Sequence, residues 1–173
     1  MTGLSDSFQR PINYLRISVT DRCNLRCVYC MPEEGVSLMS HDDILSYEEI
    51  FTLVKVAAEM GIDRVRITGG EPLVRSGVPE LVRLIAGIDT INDIAMTTNG
   101  VLLSRYADEL KEAGLHRVNI SLDTLKPERF HRITRCGELE DTLSGIEAAH
   151  RVGLEPVKIN MVVMAGINDD EIP

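Results

Sequence analysis

Five short segments of the chain alternate apolar and polar residues with the two-residue period of a β-strand. These segments are 14–20, 64–70, 93–99, 117–123 and 157–164. The stretches between them space their apolar residues three or four apart, as one face of a helix does. Strands that alternate with helices predict parallel pairing through right-handed crossovers, and therefore an α/β fold.

Capping residues mark the ends of the predicted helices. Ser46 and Glu49 have the spacing of a capping box, and the helix that they begin is expected to stop at Gly61. Further helices are predicted over 78–88, 104–114 and 138–153. Asp123 is a candidate cap for a helical turn directly after the fourth strand.

The polar residues of the strands fall on one side of each strand. Parallel strands that helices cover on both faces are usually apolar throughout. Here Leu15 and Ile17 alternate with Arg16 and Ser18, and the other strands follow the same pattern. One alternative is that each strand separately faces solvent. We favour a shared polar interior, the lumen of a partial TIM-like (β/α) barrel of parallel strands, truncated after about five strands.

Three basic residues on the polar sides would point into such a lumen: Arg16, Arg66 and Lys158. Their side chains are suited to phosphates or carboxylates. The chain as a whole is acidic, with 18 Lys and Arg, 27 Asp and Glu and a net charge of -9. That charge argues against a general nucleic-acid binder but allows a small anionic ligand in a local basic pocket.

The length and hydropathy of the chain narrow its class further. A chain of 173 residues suits one domain, and it offers neither an apolar run of transmembrane length nor a secretory signal. We therefore expect a cytoplasmic protein without a membrane partner. Disulfides are rare in that reducing compartment.

Three cysteines, Cys23, Cys27 and Cys30, lie within eight residues directly after the first strand. In a reducing compartment this spacing indicates a metal centre. Zinc is one alternative, with Cys136 or His41 as a further ligand, although structural zinc sites usually combine two separated ligand pairs. A cubane iron–sulfur cluster has four irons, so three cysteines would leave one iron open for chemistry. Cys136 is otherwise interpreted as a lone reduced thiol.

The cysteine spacing C-x3-C-x2-C, with Tyr29 before the last cysteine, resembles the signature loop of the radical S-adenosylmethionine (radical SAM) superfamily. The segment "RITGGEP" resembles a second segment of that superfamily. Three further segments, "MTTNG", "NISLDTL" and "VVMAGINDDEI", make the resemblance closer. With them, the chain resembles most the GTP 3′,8-cyclases of molybdenum cofactor biosynthesis, a family of lyases. The resemblance runs from about Tyr14 to Pro173.

The resemblance implies a set of cofactor residues. Cys23, Cys27 and Cys30 would ligate a [4Fe-4S] cluster, and the open iron would bind S-adenosylmethionine. Tyr29, Gly70 and Ser121 would contact the S-adenosylmethionine. The reduced cluster would yield a 5′-deoxyadenosyl radical, so catalysis would be carried by the cofactors. A protein reductant such as a flavodoxin or ferredoxin is the implied electron donor.

The resemblance also implies the substrate. GTP would lie deeper in the lumen against Arg16, Arg66, Thr97 and Lys158. The radical would take a hydrogen from the ribose, on the way to the cyclic pyranopterin precursor of molybdenum cofactor. No nucleic acid partner is implied.

The resemblance covers the first half of what the family normally has. We expect residues 1–173 to form the N-terminal portion of a radical SAM core, without the C-terminal domain that carries the family's second cluster. Such a chain is expected to bind GTP poorly and to lack full activity, and its uncovered strand edge makes a homo-oligomer one expectation. Two alternatives stay open: a radical SAM enzyme with a different anionic substrate, and a non-catalytic, truncated metal-binding protein.

Overall fold

Five parallel strands form one sheet, in which the order of the strands in space is their order in the chain. The strands are β1 (Tyr14–Ser18), β2 (Arg64–Thr68), β3 (Asp93–Thr98), β4 (Arg117–Ser121) and β5 (Lys158–Asn160). The computed structural model describes residues 3–172, so residues 1, 2 and 173 lie outside the description, as does the side chain of His41. The predicted α/β fold is confirmed.

Five α-helices connect the strands: α1 (Tyr47–Glu59), α2 (Val78–Ala86), α3 (Leu103–Glu112), α4 (Pro127–Thr134) and α5 (Leu139–Val152). The predicted capping box begins α1, since Ser46 Oγ accepts from the Glu49 amide and the Glu49 carboxylate accepts from the Ser46 amide. Short 3-10 helices cover His41–Asp43, Pro72–Val74 and Asp169–Glu171. No helix among residues 3–172 has the length and hydropathy to cross a membrane.

Helix α4 and the role of Asp123 differ from expectation. The apolar periodicity did not predict α4, because its eight residues bury only Phe130 and Ile133 among large apolar side chains. The proposed cap at Asp123 is wrong, since α4 begins only at Pro127. The Asp123 carboxylate instead accepts from the Tyr29 hydroxyl at 2.6 Å and from the Val162 amide at 2.8 Å.

The sheet buries one face and leaves the other polar. A sequential strand order advances every right-handed crossover in the same direction, which keeps the helices on one side of the sheet. The buried side chains of the central strands are Val65, Ile67, Ile94, Met96, Val118 and Ile120. They share one core with helix residues that include Val54, Leu81, Leu103, Leu110 and Ala149.

The strand residues that alternate with these core residues form the polar lumen predicted from the sequence. Arg16, Arg66, Thr97 and Lys158 lie on this side, away from the core. A doubly wound sheet would reverse its strand order at a switch point. The sequential order observed here is that of a barrel wall.

The fifth strand is shorter than predicted. The expected strand over 157–164 is limited to Lys158–Asn160, because β4 offers partners only for those three residues. After it, the Val162 amide donates to the Asp123 side chain, and residues 161–164 do not continue the strand. The side of β5 that faces away from the lumen is uncovered, and Ile159 is 49% exposed.

Candidate active site at the carboxyl ends of the strands

The three-cysteine loop follows β1 directly and therefore lies at the carboxyl ends of the strands. Cys23 and Cys27 are half-buried free thiols and Cys30 is exposed. Burial, followed by the neighbouring charges of Cys30 and Cys23, raises the pKa of the Cys27 thiol to about 12. Burial also raises the pKa of Cys23 and of Cys30. Thiolates here need a compensating cation, which a metal cluster supplies when it displaces the protons.

The geometry of the thiols bears on which metal group they could hold. Within residues 3–172, no three His, Cys, Asp or Glu side chains come close enough together to hold one metal ion. The ligands of a structural zinc must surround one point. The cysteines of a cubane cluster each bond a different iron, so they need not converge in this way. Cys136, the further zinc ligand considered above, donates its thiol hydrogen to the Asn24 carbonyl at 3.4 Å.

The Gly-Gly segment after β2 forms backbone hydrogen bonds with the start of the cysteine loop. The Gly70 amide donates to the Thr20 carbonyl and the Glu71 amide to the Arg22 carbonyl, both at 2.8 Å. A Cβ atom on Gly70 would lie 2.3 Å from the Arg22 carbonyl oxygen. Gly70 therefore lets two backbone segments meet, which is a structural reason for glycine in addition to its predicted contact with S-adenosylmethionine.

The end of α4 supports the loop from the side. The carbonyls of Ile133 and Thr134 accept from the amides of Val28 and Arg26, at 2.9 Å each. Arg135 has a left-handed backbone, with φ of 60°, and its guanidinium donates to the carbonyls of Arg26 and Met31. These bonds fix the loop at both ends of its last two cysteines. Sequence reasoning missed them because no local pattern relates α4 to a loop about one hundred residues earlier.

Glu71 joins the Gly-Gly segment to the end of β3. Its carboxylate is 0% exposed and accepts from the amides of Leu73 and Asn99 and from the Thr98 hydroxyl. Burial raises the pKa of Glu71 despite these three donors. Asn99 in turn donates to Asn24 Oδ1 at 2.8 Å and lies 3.9 Å from Cys23 Sγ. The buried carboxylate thus positions a side chain that touches the cysteine loop.

Replacing Glu71 by glutamine is expected to lower the free energy of unfolding by about 1–3 kcal/mol. In glutamine an NH₂ group replaces one of the two accepting carboxylate oxygens. This donor would face another donor, so one buried amide or hydroxyl would lose its partner. Urea denaturation measures the loss, with the exposed Glu109→Gln as the matched control. An unchanged midpoint for Glu71→Gln would contradict the role assigned to this carboxylate.

A small cavity brings together several of the predicted cofactor residues. Its volume is about 30 Å³, and its walls include Cys27, Tyr29, Ser121 and Asp123. The Tyr29 hydroxyl bonds Asp123, so the aromatic ring is tied to the end of β4 beside Ser121. The structure therefore places Tyr29 and Ser121 together, while Gly70 is not part of this cavity and packs against the backbone of Asp21 and Arg22.

The lumen side chains form rows across the strands. The arginine row contains Arg16, Arg66, Ala95 and Arg117. The middle row, two residues closer to the cysteine loop, contains Thr97, Asn119 and Lys158. The upper row, which adjoins the loop, contains Ser121 and Asn160.

The arginine row has unused hydrogen-bonding capacity. Arg117 forms an ion pair with Asp93, but within residues 3–172 Arg16 donates only one long bond, 3.4 Å, to the Thr68 hydroxyl. Arg66 lies over the Tyr14 ring, and its Nε is buried with no partner among the described residues. Two guanidinium groups side by side with free donors suit a polyanion.

Fold and site together define a class: a partial α/β barrel with a three-cysteine loop at the carboxyl ends of its strands, the end at which such barrels place their active sites. The family model "Radical SAM superfamily" matches residues 17–173. The chain belongs to the radical SAM superfamily. Membership implies a 4Fe-4S cluster and S-adenosylmethionine as cofactors.

The chain is similar to curated proteins named GTP 3′,8-cyclase. It is 59% identical to that of Heliobacterium modesticaldum over 167 residues, which are 96% of this chain and 51% of the relative. It is 57% identical to that of Alkaliphilus metalliredigens over 169 residues, 98% of this chain and 53% of the relative. The chain thus spans about half the length of the curated relatives it matches.

Solved structures share the fold at low sequence identity. SuiB of Streptococcus suis, in its structure bound to S-adenosylmethionine, has a TM-score of 0.69 and 19% identity, over 86% of this chain and 32% of that one. Methylornithine synthase (PylB) has a TM-score of 0.65 and 17% identity, over 91% and 46% of the two chains. Both support the partial barrel.

Proposed function

We propose that residues 1–173 form the N-terminal portion of a radical SAM core and take part in the GTP 3′,8-cyclase reaction. That reaction converts GTP to the cyclic pyranopterin precursor of molybdenum cofactor. One observation carries the proposal: a basic lumen lies beneath the three-cysteine loop in a chain 59% identical to a GTP 3′,8-cyclase over 167 residues.

Cys23, Cys27 and Cys30 hold the [4Fe-4S] cluster in this proposal. The fit rests on the donor set: three thiols on one loop, each with a raised pKa and therefore in need of a cation when ionised. When bound, the reduced cluster and S-adenosylmethionine supply radical chemistry that removes a hydrogen from the ribose. A protein reductant such as a flavodoxin or ferredoxin supplies the electron. Four free cysteines suit a reducing compartment, and we propose the cytoplasm.

Tyr29, Gly70 and Ser121 are proposed to orient S-adenosylmethionine. Tyr29 and Ser121 line one small cavity with Cys27, so the two side chains lie close together beside the cysteine loop. The bond from the Tyr29 hydroxyl to Asp123 holds the ring in place. Gly70 acts from beneath the loop, where its missing side chain leaves room for the Arg22 carbonyl.

GTP is proposed to bind with its triphosphate toward the arginine row. Arg16 and Arg66 supply planar, permanently charged donors for phosphate oxygens. Thr97 and Lys158 contact the nucleotide from the middle row, closer to the cysteine loop. The net charge of -9 makes this cationic lumen a local exception on an acidic protein, so it would select an anion that fits its shape.

An anaerobic assay tests the function. The chain is reconstituted with iron and sulfide, reduced and incubated with S-adenosylmethionine, with and without GTP. We expect 5′-deoxyadenosine to form in a GTP-dependent manner. Cleavage without an effect of GTP would favour a different anionic substrate. No cleavage, with zinc bound in preference to iron, would favour a non-catalytic metal-binding protein.

A further inference from the structure

Asn119 of β4 is a buried amide that the lumen leaves without a partner. The residue is 6% exposed, and its Oδ1 accepts no hydrogen bond from the described residues. Buried polar groups are nearly always paired in native proteins, because an unpaired one has lost its water without a replacement. Asn119 begins the segment "NISLDTL", but it is not among the residues proposed for GTP, so its amide has no assigned role.

The position of Asn119 is central in the middle row. Its Cα pairs with Thr97 on one side and with Lys158 on the other. Both neighbours are proposed contacts of the substrate, so the amide lies between two groups that would touch the same ligand. Its side chain faces the lumen because registered residues of parallel strands share a face.

The depth of the middle row indicates which part of a nucleotide lies there. Each row is separated from the next by two residues, which is about 6.6 Å along a strand. The arginine row below would hold the phosphates, and the upper row adjoins the cysteine loop, where the reaction begins. A nucleotide with its phosphates on the arginine row therefore presents its sugar at the middle row.

The chemistry of the amide agrees with this depth. An acceptor oxygen needs a donor. The phosphate oxygens of a nucleotide offer none at neutral pH, whereas the ribose hydroxyls and the guanine N–H groups do, and the depth of the middle row favours the ribose. We propose that Asn119 is a further substrate-binding residue, which binds a ribose hydroxyl and so orients the sugar toward the cysteine loop. This inference rests on the proposed function. It adds that the site binds a ribonucleotide more tightly than the deoxynucleotide that lacks the bound hydroxyl.

Calorimetry on the anaerobically reconstituted chain tests the proposal, with GTP, 2′-deoxyGTP and 3′-deoxyGTP as ligands in the presence of S-adenosylmethionine. We expect wild type to bind GTP roughly tenfold more tightly than one of the two analogues. Asn119→Ala is expected to bind GTP roughly tenfold more weakly and to bind that analogue as wild type does. The loss of affinity from removing the Asn119 amide and the loss from removing the ribose hydroxyl would then not add. The analogue that shows this behaviour would identify which hydroxyl Asn119 binds.

Two further variants separate binding from folding. Asn119→Asp keeps an acceptor oxygen at the same place, so it is expected to keep the preference for GTP over the analogue. The exposed Asn92→Ala, just before β3, is the matched control and should bind all three ligands as wild type does. Iron content and the thermal midpoint check that each variant folds.

Three results would overturn the proposal. In the first, Asn119→Ala binds GTP as tightly as wild type. In the second, its affinities for GTP and for both analogues fall by the same factor, which a purely structural role would produce. In the third, Asn119→Asp no longer binds GTP more tightly than the analogue that lacks the hydroxyl. Failure of wild type to bind GTP at all would overturn the proposed function itself, which separates that failure from a failure of Asn119.

Discussion

Replacing Cys27 by serine is expected to remove the iron–sulfur cluster. A serine hydroxyl ionises far less readily than a thiol, and two cysteines cannot hold a cubane that three would ligate. Reconstituted wild type should contain about four irons per chain, and Cys27→Ser should contain close to none. Iron and sulfide analysis measures the loss, together with the visible absorption of the cluster.

Cys136→Ser is the matched control for that experiment. Cys136 lies beside the loop and donates to the Asn24 carbonyl, a bond that a serine hydroxyl can replace. Its iron content should equal that of wild type. Equal losses in the two variants would contradict the assignment of the three loop cysteines, and so would a full complement of iron in Cys27→Ser.

Replacing Gly70 by alanine is expected to displace the cysteine loop. The new Cβ would lie 2.3 Å from the Arg22 carbonyl oxygen and 3.0 Å from that of Asp21. Both are backbone atoms, so neither can rotate away as a side chain would. We expect a loss of about 3 kcal/mol in the free energy of unfolding and a loss of most of the cluster. Urea denaturation and iron analysis measure the two effects.

Gly87→Ala provides the control for Gly70→Ala. Gly87 has φ of -75°, and a Cβ there would meet its nearest atom at 3.4 Å, an ordinary contact. A Gly70→Ala variant with the stability and iron content of wild type would refute the packing argument. A variant that keeps both but no longer binds S-adenosylmethionine would show that the glycine acts on the cofactor alone.

The polar lumen could be predicted from the sequence because strand parity is a local property. Arg16 and Arg66 alternate with core residues in the sequence, and the structure places them as Cα partners in one row. Asn119 shares that parity as well. The sequence therefore contained the signal for it, both in the strand parity and in the segment "NISLDTL", but neither signal assigned its side chain a role.

The supports of the cysteine loop could not be predicted in this way. Arg135 reaches the loop only because α4 ends beside it with a left-handed residue, which is a tertiary arrangement. Glu71 was visible as part of "GGEP", yet its three donors come from two segments far apart in the chain. Asp123 was misinterpreted as a cap because its partners, Tyr29 and Val162, are distant in sequence.

The central claim is that the three-cysteine loop holds a cluster with one open iron, to which S-adenosylmethionine binds. Electron paramagnetic resonance of the reduced, reconstituted chain tests it most directly, with unlabelled S-adenosylmethionine and with the cofactor labelled with ¹⁷O in its carboxylate. We expect S-adenosylmethionine to change the cluster signal and the label to add hyperfine coupling to it. A cluster signal that neither the cofactor nor the label alters would show that S-adenosylmethionine does not bind an open iron.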